Sequence, residues 1–469
     1  MQHHLETYLA MAEAGDVPHL PPWTEHEFRR YLTCGILAFG FARARCNDCR
    51  QERLVAFSCK GRCVCPSRTN RRMAEVAAHL SDSVVPVVPM RQWVLSVPKR
   101  LRPHLTRDSE LASAVLRILI RAIRSELRSS SGVRIPSDAR LGAVSFLHRF
   151  GSRLNPHPHF HLALTDGLFA RQGDADDAPL RFHSAVGLDA ERARALTPTV
   201  QRRILKLYVR RGLLTKADAH DMLTWRGTGG FSLDGSVRIA AHDRAGLERL
   251  LRYCARPPFA LHRLRPESTR VPLSSADARL IYQLPRPSYD GRTRVRLSPL
   301  ELLDRLARLL PPPRIHRHRY HGVFAPNAKW RREATRYRRE DEEDAGSDAP
   351  DGSTSLSCSH AMDRSPRRRW AQLLARVYEV HPLRCPACHG EMRILAFLTD
   401  PAVVRPILRH LRIPEQPPPI RPARGPPQTE LLAVDPPSPW DQANQRNHAT
   451  PGRDPFDQSL PGDDGTWSA

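Results

Sequence analysis

The stretch NPHPHFHLALTDG, residues 155–167, restricts the fold more than any other part of the chain. Successive side chains of a β-strand point to opposite faces, so alternate residues share a face. Laid on a strand, Phe160, Leu162 and Leu164 line one face, while His157, His159, His161 and Ala163 line the other. The preceding run GAVSFLHRF alternates too, with Val144, Phe146 and Phe150 on one side. The short turn GSRLNP joins the two runs into a predicted β-hairpin. Same-face residues of one strand stand about 6.6–6.8 Å apart, so three imidazoles in line do not share one ion. The spacing assigns His159 and His161, flanking a buried Phe160, as a metal-binding pair. His157 is left to a supporting or phosphate-contacting position. A partly exposed, His-rich edge strand is the other reading of the same pattern.

From about residue 91 to 300, strand-like runs (RQWVLSV, GAVSFLHRF, HFHLALTDGLF) alternate with helical ones (SELASAVLRILIRAIRSELR, RAGLERLLRYCAR), and the expected class is α+β. Residues 1–45 read as helical, because WTEHEFRRYLTCGILAFGFARARC repeats its apolar positions at helical spacing. The expected organisation is a helical and zinc-binding unit at 1–85, a catalytic domain at 86–335 and a disordered linker at 336–366. A small unit at 367–412 and a disordered, Pro/Gly-rich tail at 413–469 complete it.

Lys and Arg number 73 against 49 acidic residues, a net charge of +24 and a pI near 10.6. Such an excess points to nucleic acid, where each phosphate contact releases counterions. A basic disordered tail would also give this charge, but the arginines are spread along the whole chain. No run approaches the roughly 20 apolar residues of a membrane span, and the N-terminus lacks a signal-peptide core, so the chain reads as cytosolic. Its 10 cysteines are then metal ligands or buried thiols rather than disulfides.

Cys46 and Cys49 form one C-x-x-C, and FSCKGRCVC adds Cys59, Cys63 and Cys65. Two groups of thiolates across a short polar segment suit one tetrahedral structural zinc. Arg68 occupies the place where a second C-x-x-C would end, so Cys59 and Cys63 compete for the remaining corner. Arg62, Arg68, Arg71 and Arg72 surround the group and favour a DNA-contacting ribbon. Further on, CPACHGEM offers Cys385, Cys388 and His389, with Cys358 and His360 across the linker. A second zinc site and a degenerate remnant are both open there. The rival His-x-His of RIHRHRYH, residues 314–321, centres on Arg317, which cannot anchor a core, and it reads as a basic backbone-contacting segment.

The run HDRAGLERLLRYCARPPF predicts a helix capped by Asp243 and stopped by Pro257, with Leu247, Leu250, Leu251 and Cys254 as its buried stripe. Tyr253 falls at the border of that stripe between Arg252 and Arg256, which offer charge to a phosphate. It is a candidate nucleophile, or simply a half-buried amphipathic side chain.

Together, CNDC, FSCKGRCVCPS, RQWVLSVP, RFGSRLNPHPHFHLALTDGLF, LLRYCARPPFA and RYHGVFAPNAKWR closely resemble the insertion sequence 91 family of rolling-circle transposases and its common-region relatives. The resemblance covers about residues 22–335. It implies an N-terminal zinc-binding domain followed by a His-hydrophobe-His (HUH) endonuclease domain with a central antiparallel sheet and flanking helices. It implies that His159 and His161 bind a divalent ion, Mg²⁺ or Mn²⁺, and that Tyr253 is the nucleophile. Cys46, Cys49, Cys59 and Cys65 match its zinc cysteines. Asp166, Gln201 and His148 are candidates for a further metal ligand. The second tyrosine that members often carry one helical turn earlier is Arg249 here, and Arg68 replaces a zinc cysteine. The implied activity is nicking and rejoining of single-stranded element ends through a 5′-phosphotyrosine, with duplex DNA also bound, in the bacterial cytoplasm on the nucleoid. A plasmid replication initiator or relaxase would share that chemistry. A zinc-ribbon DNA-binding protein with an inactive nuclease domain would not.

Overall fold

The computed structural model describes residues 1–59, 61, 64–173, 178–288, 290–339 and 384–424. The expected linker and tail fall mostly outside these residues, as do Arg62, Cys63, Cys358 and His360.

Helices α1 (Leu5–Ala14) and α2 (Pro22–Leu32) open the chain, followed by strands β1 (Phe41–Cys46) and β2 (Glu52–Ala56). Helix throughout 1–45 was expected, but it ends at Leu32. Gly35 (φ 73°) and Gly40 (φ 113°) turn the chain through left-handed backbone that only glycine adopts without strain. Beyond them FARARC runs as a strand.

Next come α3 (Pro66–His79), β3 (Met90–Ser96), α4 (Arg102–Arg107) and α5 (Ser109–Ser129). Asp108 caps α5 by accepting from the backbone N–H of Glu110 and Leu111. The predicted hairpin follows as β4 (Gly142–Phe150) and β5 (Pro156–Thr165), then a second as β6 (Gly167–Arg171) and β7 (Leu180–Ser184). Helices α6 (Ala190–Ala195), α7 (Thr197–Arg210) and α8 (Lys216–Thr224) lead to the short strands β8 (Ser232–Asp234) and β9 (Arg238–Ile239). After α9 (Arg244–Cys254) come β10 (Leu264–Pro266), β11 (Leu280–Gln283), β12 (Arg294–Leu297) and α10 (Pro299–Leu309). Then β13 (His318–Gly322), α11 (Arg331–Arg336), β14 (Met392–Leu398) and the helix Pro401–His410 complete the described chain. None of its helices is long and apolar enough to cross a membrane.

The central sheet has the order β13-β4-β5-β3-β8, with β9 also paired to β3, and every pairing is antiparallel. The α+β class, with an antiparallel sheet and flanking helices, is therefore the one the sequence predicted. One face of the sheet, carrying Trp93, Leu95, Phe160 and Leu162, packs on α5 and α7 through Leu119, Ile123, Ile204 and Leu205. The other face, carrying Met90, Val144, Phe146 and Ala163, packs on α3 and α9 through Ala77, Leu247 and Leu250. Each fully buried side chain of this size stabilises the fold by about 1.5–3 kcal/mol. The N-terminal helices join a third core, where Leu5, Tyr8 and Phe28 meet Leu297, Leu303 and Leu306. Residues 414–424, expected to be disordered, are tied to the start of the chain. Gln2 Nε2 donates to Pro419 O (2.8 Å), and Arg424 N donates to Thr7 Oγ1 (3.0 Å).

Asp166, just past β5, is 1% exposed and lies between two arginines. Arg91 grips it with Nε–Oδ1 and Nη2–Oδ2 bonds of 2.7 and 3.1 Å, and Arg238 Nε donates to Oδ2 at 2.7 Å. Removing one partner of a buried pair strands the other charge, at about 3–5 kcal/mol. Asp166→Ala should therefore lower stability by about that amount, read as a reduced urea midpoint. An unchanged midpoint would show that the pair adds nothing to the sheet edge.

Candidate active site

In the β4–β5 ladder His148 stands directly opposite His159, and Phe146 stands opposite His161. Antiparallel partners share a face, so His148 brings a third imidazole beside the pair that the sequence assigned. Ring centroids are 5.1 Å apart for His148–His159, 4.3 Å for His148–His161 and 4.9 Å for His159–His161. One ring nitrogen from each of the three lies within 4.8 Å of the others, and all three residues are buried. Of the three candidates for a further ligand, His148 joins the pair, while Asp166 is held by Arg91 and Arg238. Gln201, on α7 against the opposite face of the sheet, donates to Met222 O at 3.3 Å. The strand spacing could not show His148 meeting the pair, because that contact depends on the register across the hairpin.

Each ring is oriented by a hydrogen bond at its far nitrogen, as metal-binding imidazoles usually are. His148 Nε2 donates to Cys254 O at 2.7 Å, which leaves Nδ1 with its lone pair, and that buried atom has no partner among the described residues. His159 Nδ1 donates to His157 O at 2.8 Å. The Gln92 amide lies 3.0 Å from His161 Nδ1. Its oxygen is otherwise without a partner, as is His161 Nε2. With that oxygen turned toward Nδ1–H, the ring is oriented by the amide and Nε2 carries the lone pair. Two orphaned buried nitrogens facing a shared space fit a bound cation. An all-imidazole set suits a transition ion such as Mn²⁺ better than Mg²⁺, which prefers oxygen.

Burial holds all the rings neutral, the form that binds metal. It drives His148 and His161 well below the ordinary imidazole value, and the neighbouring histidines and Arg256 push the same way. His159 is lowered to about 4, chiefly by burial. His157 has its Nε2 3.3 Å from Ser96 Oγ and is not among the three that converge.

The C-terminal end of α9 completes the site. Asp243 caps this helix through Gly246 N, and Leu247, Leu250, Leu251 and Cys254 form its buried stripe. Tyr253 is half-buried, with its ring edge-on to His161 at 5.6 Å. The Arg256 guanidinium lies 4.4 Å from the Tyr253 ring centroid, and its Nε is buried without a partner. Arg252 is half-buried on the same helix, and Arg249 is exposed one turn before Tyr253. Beside the imidazoles runs a cleft lined by Arg72, Arg149, Arg256, Arg317 and Arg319. Arg72, assigned from the sequence to the zinc unit, thus faces this cleft, and Arg71 pairs with Glu75 at 2.7 Å. The segment 314–321 supplies a basic wall, with β13 at the sheet edge.

The cysteines do not form the single site expected of Cys46, Cys49, Cys59, Cys63 and Cys65. They separate into two groups, Cys46/Cys49/Cys385/Cys388 and Cys34/Cys59/Cys65, each with its sulfurs within 4.8 Å of one another. Sequence distance misled here, since chain folding and not proximity along the chain brings ligands together. Cys34, within the stretch whose apolar spacing predicts helix, sits in the turn after α2 with its Sγ 3.3 Å from Cys65 Sγ. Cys63 and the Arg68 side chain lie outside the described residues. Thiolate quartets and triplets of this kind fit structural zinc.

Two family models match the chain: one described as a transposase zinc-binding domain at residues 1–97, and one described as a putative transposase at residues 142–332. A curated relative, the transposase for insertion sequence element IS801 of Pseudomonas savastanoi pv. phaseolicola, is 27% identical over 150 residues. That alignment takes in 31% of this chain and 33% of the relative. No solved structure matches.

Replacing His148, His159 or His161 by Ala should abolish Mn²⁺ binding measured by calorimetry. Gln92→Ala, which leaves the ligands but frees one ring, should weaken binding by about 10–100-fold. His157→Ala should leave it near wild type, because His157 supports His159 through its backbone carbonyl. Equal losses at His157 and His148 would overturn this ligand set.

Proposed function

The chain belongs to the insertion sequence 91 family of transposases, and on that premise we propose that it nicks and rejoins single-stranded element ends in rolling-circle transposition, with Tyr253 as nucleophile. The observation that carries this reading is the edge-on contact of Tyr253 with His161 of a buried three-imidazole cluster, with the Arg256 guanidinium over the Tyr253 ring. The substrate is DNA, and the basic cleft is its track.

His148, His159 and His161 would hold the divalent ion. When bound, that ion supplies Lewis-acid polarisation of a non-bridging phosphate oxygen. Arg256, with its unpartnered Nε, donates to the same phosphate and stabilises the negative charge that builds up on it. The Tyr253 oxygen forms a bond to phosphorus as the bond from phosphorus to the 3′ oxygen breaks. The proton lost by the phenol is balanced by the one the departing 3′ oxygen gains, so the products are a 5′-phosphotyrosine and a free 3′-OH. Attack by a 3′-OH on the phosphotyrosine reverses the step and rejoins the strand. Arg72, Arg149, Arg317 and Arg319 hold the backbone phosphates on either side. The zinc-binding unit adds contacts to flanking duplex. The complete cluster and the adjoining tyrosine favour this reading over an inactive nuclease. The family matches favour a transposase over an initiator or relaxase.

Incubation with single-stranded oligonucleotides spanning the element's ends should yield a denaturant-resistant protein–DNA adduct. Tyr253→Phe should abolish the adduct while binding persists, because one hydroxyl is lost and no cation. An adduct that survives in the Phe variant assigns the chemistry to another tyrosine and sinks this proposal.

A further inference from the structure

Cys385 and Cys388 lie beyond residue 332, outside both matched spans, yet their sulfurs meet those of Cys46 and Cys49. Cys46 Sγ is 3.4 Å from Cys388 Sγ, and Cys49 Sγ is 3.5 Å from Cys385 Sγ. None of the four is in a disulfide. Zinc–sulfur bonds of about 2.3 Å place tetrahedral sulfurs about 3.8 Å apart, close to this spacing.

The two pairs are presented by matching backbone turns. Cys46 N donates to Gln51 O at 2.9 Å, and Cys385 N donates to Gly390 O at 2.8 Å. The residue after the second cysteine is left-handed in each, Arg50 at φ 61° and His389 at φ 59°. Neither is glycine, so both turns hold a backbone conformation that such residues rarely take without a constraint. His389 thus shapes the turn, and it stands outside the group of four ligands. Asn47 N donates to Glu391 O at 3.1 Å, which stitches one turn to the other.

We propose that these four thiolates bind one zinc ion that joins the C-terminal unit to the N-terminal zinc-binding unit, with each end of the chain giving half of the ligands. Strand β14 adds to the free edge of β1, making the sheet β14-β1-β2, and Val404 and Leu408 cover Phe41. Beside the sulfurs the apolar contact is limited to Ala44, Met392 and the cysteines themselves. The Phe41 cluster holds the far end of the segment, and at the sulfur end, where little apolar surface meets, the metal bonds would hold the two turns together. The zinc unit is therefore built from two distant parts of the chain, and the ion closes the loop between them.

Zinc content and thiol protection in the full chain test it. Changing Cys385 and Cys388 to Ser should remove one equivalent of zinc, as should changing Cys46 and Cys49. Changing all four should still remove one, because both pairs serve the same ion. A loss of two in the fourfold variant, or no loss in the C-terminal pair, overturns the proposal. A second measurement needs no variant. Cys49 and Cys388 are exposed, so as free thiols they would be alkylated readily. In the zinc-loaded protein both should be protected, and a chelator should open them together. Rapid alkylation of Cys388 with zinc still bound overturns the shared site.

Discussion

Strand β5 carries apolar side chains on one face and histidines on the other, and both faces are covered. Phe160 and Leu162 are held by the helices beneath, so the strand cannot slip by one residue without driving the imidazoles into that apolar core and the apolar row onto the imidazole face. Register across the hairpin is fixed by the same constraint, and register decides that His148 faces His159. The site is thus a consequence of sheet packing: its three ring nitrogens converge because the apolar row on the reverse face leaves the strand no freedom.

Burial of three imidazoles has an electrostatic consequence. Without a counterion the cluster resists protonation, since each ring is desolvated and faces its neighbours. An acidic residue nearby would offset that tendency, but Asp166 is held in place by Arg91 and Arg238. The region is left with neutral donors, an unpartnered arginine nitrogen and a cleft of arginines. The neutral donors suit a bound cation, and the arginines beside them suit an anionic ligand. Helix α9 ties the pieces together. Its Cys254 carbonyl orients His148, its Tyr253 ring meets His161, and its apolar stripe packs on the same sheet face.

The N-terminal unit follows a different logic. Strand β1 buries Phe41, Ala42 and Ala44 while β2 buries none of its residues fully, and the cysteines grouped beside them come from distant parts of the chain. One group gathers Cys34, Cys59 and Cys65 from the N-terminal unit, while the other reaches across to Cys385 and Cys388. Where apolar surface is scarce, a few polar bonds of defined geometry decide which segments associate.

The sequence by itself determined much of the central sheet. Period-two alternation located β4 and β5, the cap at Asp243 and stop near Pro257 located α9, and the His pair and Tyr253 followed from those elements. These are local signals, set by side-chain direction and backbone preference. The helical reading of FARARC failed because a short apolar run fits either period, and only pairing with β2 and β14 settles it. Tertiary structure alone decided three things. His148 became a neighbour of His159 through cross-strand register, and Arg72 was turned toward the cleft by the packing of α3 on α9. The cysteines were sorted into two groups by contacts between segments hundreds of residues apart. Each depends on which distant segments meet, and a one-dimensional pattern carries no information about distance in space.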